Sequence, residues 1–120
     1  MSEQVHFEID QNATFATTVV WTDADGVPID ITDYTVKMDL KDDYDSTEPI
    51  ISLTNDSGIT VTGATGTIDI EITDEQTAEF DFINCVYDLL VEDTDTAVHR
   101  IIYGTFTLNR GVTKIEEVTP

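Results

Sequence analysis

Residues 67–72 of the chain read TIDIEI, with an isoleucine at every second position. Successive side chains of a β-strand point to opposite faces of the sheet, so this alternation predicts one buried face and one solvated face. The same period of two returns along the chain, near residues 5–10, 15–21, 34–41, 85–91 and 98–108. Half-buried strands of this kind are typical of antiparallel sheets, and the repeated pattern predicts an all-β protein.

Turn signals separate the alternating segments. The sequences NDSG at residues 55–58 and GATG at residues 63–66 both contain glycine, which tolerates the backbone angles of tight turns. Thr73 and Gln76 have the spacing of a capping box, which predicts one short helical turn near residues 73–80. About eight short strands in one chain predict an antiparallel two-sheet sandwich of immunoglobulin-like architecture, with a jelly roll as the rival topology.

The chain length of 120 residues suits one domain that buries its own core without disulfides or a structural metal. We therefore expect a single β-sandwich domain over residues 1–120. Its short ends, about 1–4 and 112–120, are expected to be mobile or held by a partner. Cys85 is the only cysteine, which excludes a disulfide framework. The N-terminus lacks the basic and then apolar run of a signal peptide, so we expect the protein to be made and folded in a cytoplasm.

The charge balance is strongly acidic, with 25 Asp and Glu against 5 Lys and Arg and a net charge of -20. Binding to nucleic acid or to an anionic membrane requires clustered cations, so this balance excludes both as partners. Disorder is a common consequence of high net charge, but 40% of the residues are hydrophobic and they alternate regularly. No window is long and apolar enough to span a bilayer.

Catalytic motifs are absent from the sequence, which contains no GxSxG, HExxH, P-loop or GxGxxG pattern. Most acidic residues fall on outward strand positions or in loops, away from the burial that acid catalysis by a carboxyl requires. His6 and His99 occupy outward positions with no visible partner, and Cys85 lies on an inward face as a small core residue. The sequence predicts a protein that is not an enzyme and needs no cofactor.

Two acidic loops are weak candidates for calcium binding. Asp23 and Asp25 precede Gly26 as in the opening of a calcium loop, and Asp42, Asp43 and Asp45 cluster further along. The spacing excludes an EF-hand, because the later acidic positions do not match. Aspartate is also an ordinary turn residue, and Asp-Gly is a common hairpin turn, so the alternative is a structural role or diffuse screening by divalent cations.

Two adjacent predicted strands carry apolar residues on both faces. Tyr87 and Leu89 share one face of their strand, and the opposite face of the pair is partly apolar as well. The candidate interface residues on this second face, together with two neighbours, are Ile50, Ile51, Val86, Leu90, Ile101 and Tyr103. This surface either docks a partner or is covered by the chain's own loops.

The segment DGVPIDITDY at residues 25–34 resembles the DGxPxDLTGY segment of small structural proteins of tailed bacteriophages. The similarity continues in the same order through residues 73–77, 86–89 and 100–104, and it extends over most of the chain. A related pattern occurs in the N-terminal domain of upper baseplate proteins. Asp33 stands where glycine is usual in that pattern, and no receptor-binding module follows in this sequence.

The resemblance implies a non-enzymatic virion protein that acts by protein–protein contacts in the tail, baseplate or fibre attachment region. Its expected partners are other virion proteins, with a homo-oligomer as a further arrangement. A capsid decoration protein is the alternative, because an acidic and rigid domain also suits the outer surface of a capsid. A carbohydrate-binding module is the second alternative, with Tyr44 and Phe82 as platform residues and Trp21 in the core.

We predict that the stability of the protein rises with ionic strength, because salt screens the repulsion among its carboxylates. The Debye length falls from about 30 Å at 0.01 M salt to about 10 Å at 0.1 M. The melting temperature should therefore increase over this range of sodium chloride, as measured by circular dichroism at pH 7. A melting temperature that does not change with salt would contradict the prediction.

Overall fold

The computed structural model describes residues 3–113, in which nine strands and one short α-helix follow each other along the chain. The strands are β1 (Glu3–Gln4), β2 (Phe7–Asp10), β3 (Phe15–Val20), β4 (Thr35–Lys41), β5 (Ile51–Asn55), β6 (Gly58–Thr62), β7 (Thr67–Ile72), β8 (Asn84–Glu92) and β9 (Val98–Asn109). The helix α1 (Asp74–Ala78) lies between β7 and β8, and a 3₁₀ turn (Gly63–Thr65) precedes β7. The predicted all-β class is confirmed.

The strands form one mixed sheet in the order β1-β9-β8-β4-β5-β6-β7-β3, with β2 also paired to β9. Strands β1 and β2 run parallel to β9, and a short parallel pair joins β5 to β6, whereas the other pairs are antiparallel. The prediction of a wholly antiparallel arrangement was therefore wrong. Hydrogen bonding also does not divide the strands into two sheets, because the β5/β6 pair joins Thr54 to Gly58 and Asn55 to Ile59.

The sheet curls until its distant strands enclose a single core. Phe15 of β3 lies with its ring 5.4 Å from that of Phe106 in β9, although these two strands are far apart in the sheet order. Phe7 of β2 contacts both rings, at 5.6 Å from Phe15 and 5.2 Å from Phe106. The buried side chains of the alternating segments, including Ile68, Ile70 and Ile72, belong to this core.

The predicted helical turn is confirmed as a capped helix. The Gln76 backbone N–H donates to Thr73 Oγ1 at 3.2 Å, and the Thr73 N–H donates to Gln76 Oε1 at 2.9 Å, which completes the capping box. The buried Thr77 hydroxyl donates to the Ala13 carbonyl at 2.9 Å. This bond attaches the helix to the segment that leads into β3.

The N-terminal segment lies directly on the last strand. The Val5 N–H donates to the Tyr103 carbonyl at 2.9 Å, and the Val5 carbonyl accepts a hydrogen bond of 2.7 Å from the buried Tyr87 hydroxyl. A Cβ at Gly104 would lie 2.1 Å from the Val5 carbonyl oxygen, so only glycine permits this close approach. Of the ends expected to be mobile or held by a partner, Glu3–Gln4 pairs with β9, whereas residues 1–2 and 114–120 lie outside the described residues.

We predict that Gly104→Ala destabilises the protein by about 2 kcal/mol or more, because the new methyl group displaces the Val5 backbone. Tyr87→Phe should cost about 1 kcal/mol, because it removes only the hydrogen bond to Val5. Urea denaturation measures both changes. The control is Gly26→Asn, at a positive φ of 82° with no neighbouring atom within 4 Å, which should change stability little. Equal effects of Gly104→Ala and Gly26→Asn would contradict the close-approach argument.

Candidate functional site

The side of strands β4, β8 and β9 that faces away from the core forms a continuous surface, which we call the outer face. Strand register arranges its side chains in four rows that cross the three strands. From the end of β4 back to its start, these rows are Lys41, Val86 and Thr105; Asp39, Asp88 and Tyr103; Lys37, Leu90 and Arg100; and Thr35, Glu92 and Val98. On β4 and β8 these positions alternate with buried residues.

A shallow groove of about 280 Å³ crosses the middle of the outer face. Its lining residues are Asp39, Lys41, Tyr44, Val86, Tyr87, Asp88, Leu90, Arg100 and Tyr103. The apolar part of the lining comes from Val86, Leu90 and Tyr103, all half-buried, and the Arg100 guanidinium stacks 4.1 Å from the centre of the Tyr103 ring. Cation–π contacts of this kind attract a guanidinium to the face of an aromatic ring.

Three of the six residues predicted from sequence as an interface lie together on the outer face, namely Val86, Leu90 and Tyr103. The interpretation of Ile101 was wrong, because this side chain is only 6% exposed and belongs to the core. A register shift explains the difference: Leu89 pairs with Ile102 and Leu90 with Arg100, which leaves Ile101 as an extra residue between them.

The other two predicted interface residues lie away from the groove. Ile50 and Ile51 are half-buried and pack against the core cluster near the start of β5. The Ile50 N–H donates to the Leu40 carbonyl at 2.6 Å, which fixes this segment against β4. The structure therefore does not bring these two residues together with the groove.

The outer face has a charge balance unlike the rest of the chain. Three of the five Lys and Arg residues, Lys37, Lys41 and Arg100, lie on it. They are matched there by three carboxylates, from Asp39, Asp88 and Glu92 (3 − 3 = 0). The formal charge of -20 is thus carried by the remainder of the molecule. Sequence reasoning missed this clustering, because strand pairing brings together residues that are far apart along the chain.

The first acidic loop uses its aspartate to close a turn. Asp23 Oδ1 accepts backbone hydrogen bonds from Asp25 at 2.9 Å and from Val27 at 3.1 Å. The Asp23 N–H donates to the Val27 carbonyl at 2.9 Å, and Gly26 adopts a positive φ of 82°. The same arrangement recurs between β8 and β9, where Asp93 Oδ1 accepts from the residues two and four positions later.

The second acidic loop is built in a similar way. Asp43 Oδ1 accepts from the Asp45 N–H at 2.9 Å and from the Ser46 hydroxyl at 3.2 Å, whereas Asp42 is exposed. Within residues 3–113, no three His, Cys, Asp or Glu side chains are grouped so as to hold a metal ion. Asp23 and Asp43 are two of the aspartates considered as calcium ligands. The side chain of each accepts a hydrogen bond from a backbone N–H group of its own loop.

Both histidines have partners that the sequence did not reveal. His99 Nε2 lies 3.1 Å from Asp93 Oδ2, and the His99 ring lies 5.5 Å from that of Trp21. The hydrogen bond from His99 lowers the pKa of the Asp93 carboxyl, with further contributions from the backbone N–H groups of its turn. His6 Nδ1 lies 2.6 Å from the Thr105 hydroxyl, beside the outer face.

The remaining residues singled out from sequence lie in three different environments. Cys85 is buried as expected, and desolvation raises the pKa of its thiol to about 12, which keeps it protonated at neutral pH. Tyr44 is 75% exposed at the rim of the groove, as a binding platform requires. Phe82 is only 7% exposed, with its ring 5.2 Å from that of Phe80, so its interpretation as a platform residue was wrong. Trp21 is half-buried against the core.

Comparison of the chain with protein-family models gives no match, and comparison with curated proteins gives none either. In the part of the chain that the structure describes, no helix has the length and hydropathy needed to cross a membrane.

We predict that Asp93→Asn lowers stability at pH 7, because asparagine still accepts the two turn hydrogen bonds but lacks the carboxylate that accepts the hydrogen bond from His99. The folded pKa of Asp93 lies below its unfolded value of about 3.9, so the contribution is complete above that pH and disappears as the pH falls through the folded pKa. Urea midpoints of variant and wild type should therefore converge at low pH.

Asp23→Asn provides the matched control, because Asp23 caps the same kind of turn without a histidine. If both variants lose the same stability at pH 7, the His99 contact contributes nothing. A difference between wild type and Asp93→Asn that persists below the folded pKa would equally contradict the prediction.

Proposed function

We propose that this chain is a non-enzymatic structural protein of a tailed-bacteriophage virion, acting through protein–protein contacts in the tail, baseplate or fibre attachment region. The observation that carries the proposal is the outer face. It combines half-buried Val86, Leu90 and Tyr103 with a net charge of zero on a chain of charge -20. Aromatic residues and arginine are enriched in the centres of protein interfaces, and both meet here in the Arg100–Tyr103 stack.

We also infer that the curled sheet corresponds to an immunoglobulin-like sandwich. One layer would contain β1, β2, β9, β8, β4 and β5, and the other would contain β6, β7 and β3. The order β9-β8-β4 corresponds to strands G, F and C of that architecture, and β3-β7-β6 corresponds to B, E and D. The contact of Phe15 with Phe106 supports the inference, because it joins the two proposed layers through the core.

A domain with one face of zero net charge and an acidic remainder suits attachment to a neighbouring protein in a particle. The acidic remainder keeps the exposed side soluble and away from packaged nucleic acid. Capsid decoration is the alternative position, since it requires the same combination of one docking face and one solvated side. Copy number distinguishes the two positions, because decoration proteins follow the number of capsid subunits.

A carbohydrate-binding module is the second candidate function, and the exposure of Tyr44 favours it. This ring stands at the rim of a groove that also presents Asp39, Asp88 and Arg100, which are side chains that can bind sugar hydroxyl groups. Tyr44→Ala separates the candidates. It should abolish binding to host cells if the groove recognises a sugar, and it should leave particle incorporation unchanged if the groove serves assembly.

The proposal is tested by quantitative mass spectrometry of purified particles that carry wild-type or variant protein. We expect the wild type at a copy number comparable to that of the portal protein, and a comparison with the major capsid protein tests for decoration. Leu90→Asp should reduce incorporation at least about tenfold, because it places an unpaired charge in the centre of the contact.

Thr60→Asp is the matched control, since it adds the same charge at an exposed position of β6, away from the outer face. It should be incorporated at the wild-type level, and circular dichroism should show that both variants are folded. Absence of the wild-type protein from particles would overturn the virion proposal. Equal incorporation of both variants would exclude the outer face as its contact surface.

A further inference from the structure

We infer that the outer face binds the outer face of a second copy of this chain, which gives a two-fold symmetric dimer. The inference rests on the proposed function, because that proposal makes the outer face a contact surface. The inference names the partner that binds there. It depends on the order of charges in the four rows defined above. That order makes the surface complementary to itself.

The net charge of the four rows alternates in sign along the strands. The first row carries Lys41, the second Asp39 and Asp88, the third Lys37 and Arg100, and the fourth Glu92. The sequence of signs is therefore positive, negative, positive, negative. When this order is reversed, every row meets a row of opposite sign.

A two-fold axis produces this reversal. If the axis lies in the plane of the contact and crosses the strands between the second and third rows, each strand of one copy runs antiparallel above its counterpart. The second row of each copy then meets the third row of the other, and the first row meets the fourth. On β4, this brings Lys37 of one copy opposite Asp39 of the second copy, and symmetry forms the same pair twice.

The apolar groove lies inside this charged pattern. Val86 and Leu90 of β8 and Tyr103 of β9 occupy the first three rows, so the same contact removes them from water. Within residues 3–113, the Lys37 and Lys41 ammonium groups form no ion pair in the monomer. Both groups are therefore able to pair with carboxylates across the contact.

The distribution of the net charge favours this face for self-association. Two chains of charge -20 repel each other at long range, so they can approach closely only through a region without net charge. The outer face is such a region. The smallest dimension of the molecule is 25 Å, and the Debye length at physiological salt is about 8 Å, so acids on the far side are largely screened from the contact. Dimerisation should therefore strengthen from about 0.01 M to about 0.15 M salt.

The experiment uses the full chain and reverses the charge at either Lys37 or Asp39, one position in each variant. Lys37→Asp places two aspartates against two aspartates across the proposed axis, and Asp39→Lys places lysine against lysine. Each variant alone should be largely monomeric by sedimentation equilibrium. Its dimer dissociation constant should be at least about tenfold higher than that of the wild type.

An equimolar mixture of the two variants should recover the dimer. In the mixed dimer, the aspartate introduced at position 37 of one copy faces the lysine introduced at position 39 of the other. The second of the two symmetric contacts keeps its original pair of Lys37 and Asp39. Both contacts therefore join opposite charges, which neither variant achieves alone.

Two control variants change the net charge by the same amounts outside the outer face. Arg110→Asp, after the end of β9, matches Lys37→Asp, and Glu71→Lys, on an exposed position of β7, matches Asp39→Lys. Both should dimerise like the wild type. Circular dichroism of every variant establishes that a loss of dimer is not a loss of fold.

Three results would overturn the inference. They are a wild type that sediments as a monomer up to about 1 mM, single variants that remain dimeric, and a mixture that stays monomeric. A monomeric wild type that still enters particles would remove the dimer and leave the proposed function intact. A dimer in solution that is absent from particles would retain the inference and overturn the virion proposal.

Discussion

The curl of the sheet depends on the aromatic contacts that join its distant strands through the core. Phe106 lies 4.9 Å from the Tyr87 ring and 5.4 Å from that of Phe15, so the last strand, its neighbour and the far edge meet at one point. Edge-to-face contacts of this kind add to the free energy gained by removing large rings from water. Within residues 3–113, strand pairing connects the two halves of the sheet only through β5 and β6, so packing in the core must hold the halves together. The division of β8 and β9 into a core side and an outer face follows from this closure.

A second constraint acts at the backbone of the N-terminal segment. Gly104 admits the Val5 backbone, and the buried Tyr87 hydroxyl binds its carbonyl. Burial raises the pKa of the Tyr87 phenol, which therefore remains a hydrogen-bond donor at neutral pH. The strand that carries Tyr87 inward carries Val86 and Asp88 outward. Strand β8 therefore both holds the N-terminal segment, through Tyr87, and supplies side chains to the outer face.

Local sequence patterns correctly predicted the structural elements that depend on a few successive residues. The alternation in residues 67–72 predicted a strand, and the spacing of Thr73 and Gln76 predicted the capped helix, because each depends on a few successive positions. The place of Ile101 could not be predicted, since an extra residue in β9 turns it inward and no local signal marks the shift. The mixed sheet was missed for a related reason, because strand direction depends on which distant segments meet.

The candidate site was only partly predictable on the same grounds. The sequence indicated apolar residues on both sides of two strands, and Val86 and Leu90 do lie on the surface. The neutral charge of that surface arises when β4 brings Lys37 and Lys41 beside β8, which only the register specifies. For Asp23 and Asp43, the sequence instead suggested a site that the structure does not form. Their clustering along the chain resembled a ligand set, but each turns back to bind its own loop.

Strand β3 has a further consequence for the behaviour of the molecule in acid. Within residues 3–113 it pairs only with β7, and its sequence, FATTVV, contains no charged residue. Val20, 48% exposed, ends this strand. An uncharged edge with unpaired backbone groups is a template for aggregation, and natural proteins usually guard such edges with charges or proline. Here the protection is provided by the repulsion between whole molecules. Neutralising the carboxylates removes that repulsion, so acid would favour edge-to-edge pairing between the β3 strands of two molecules.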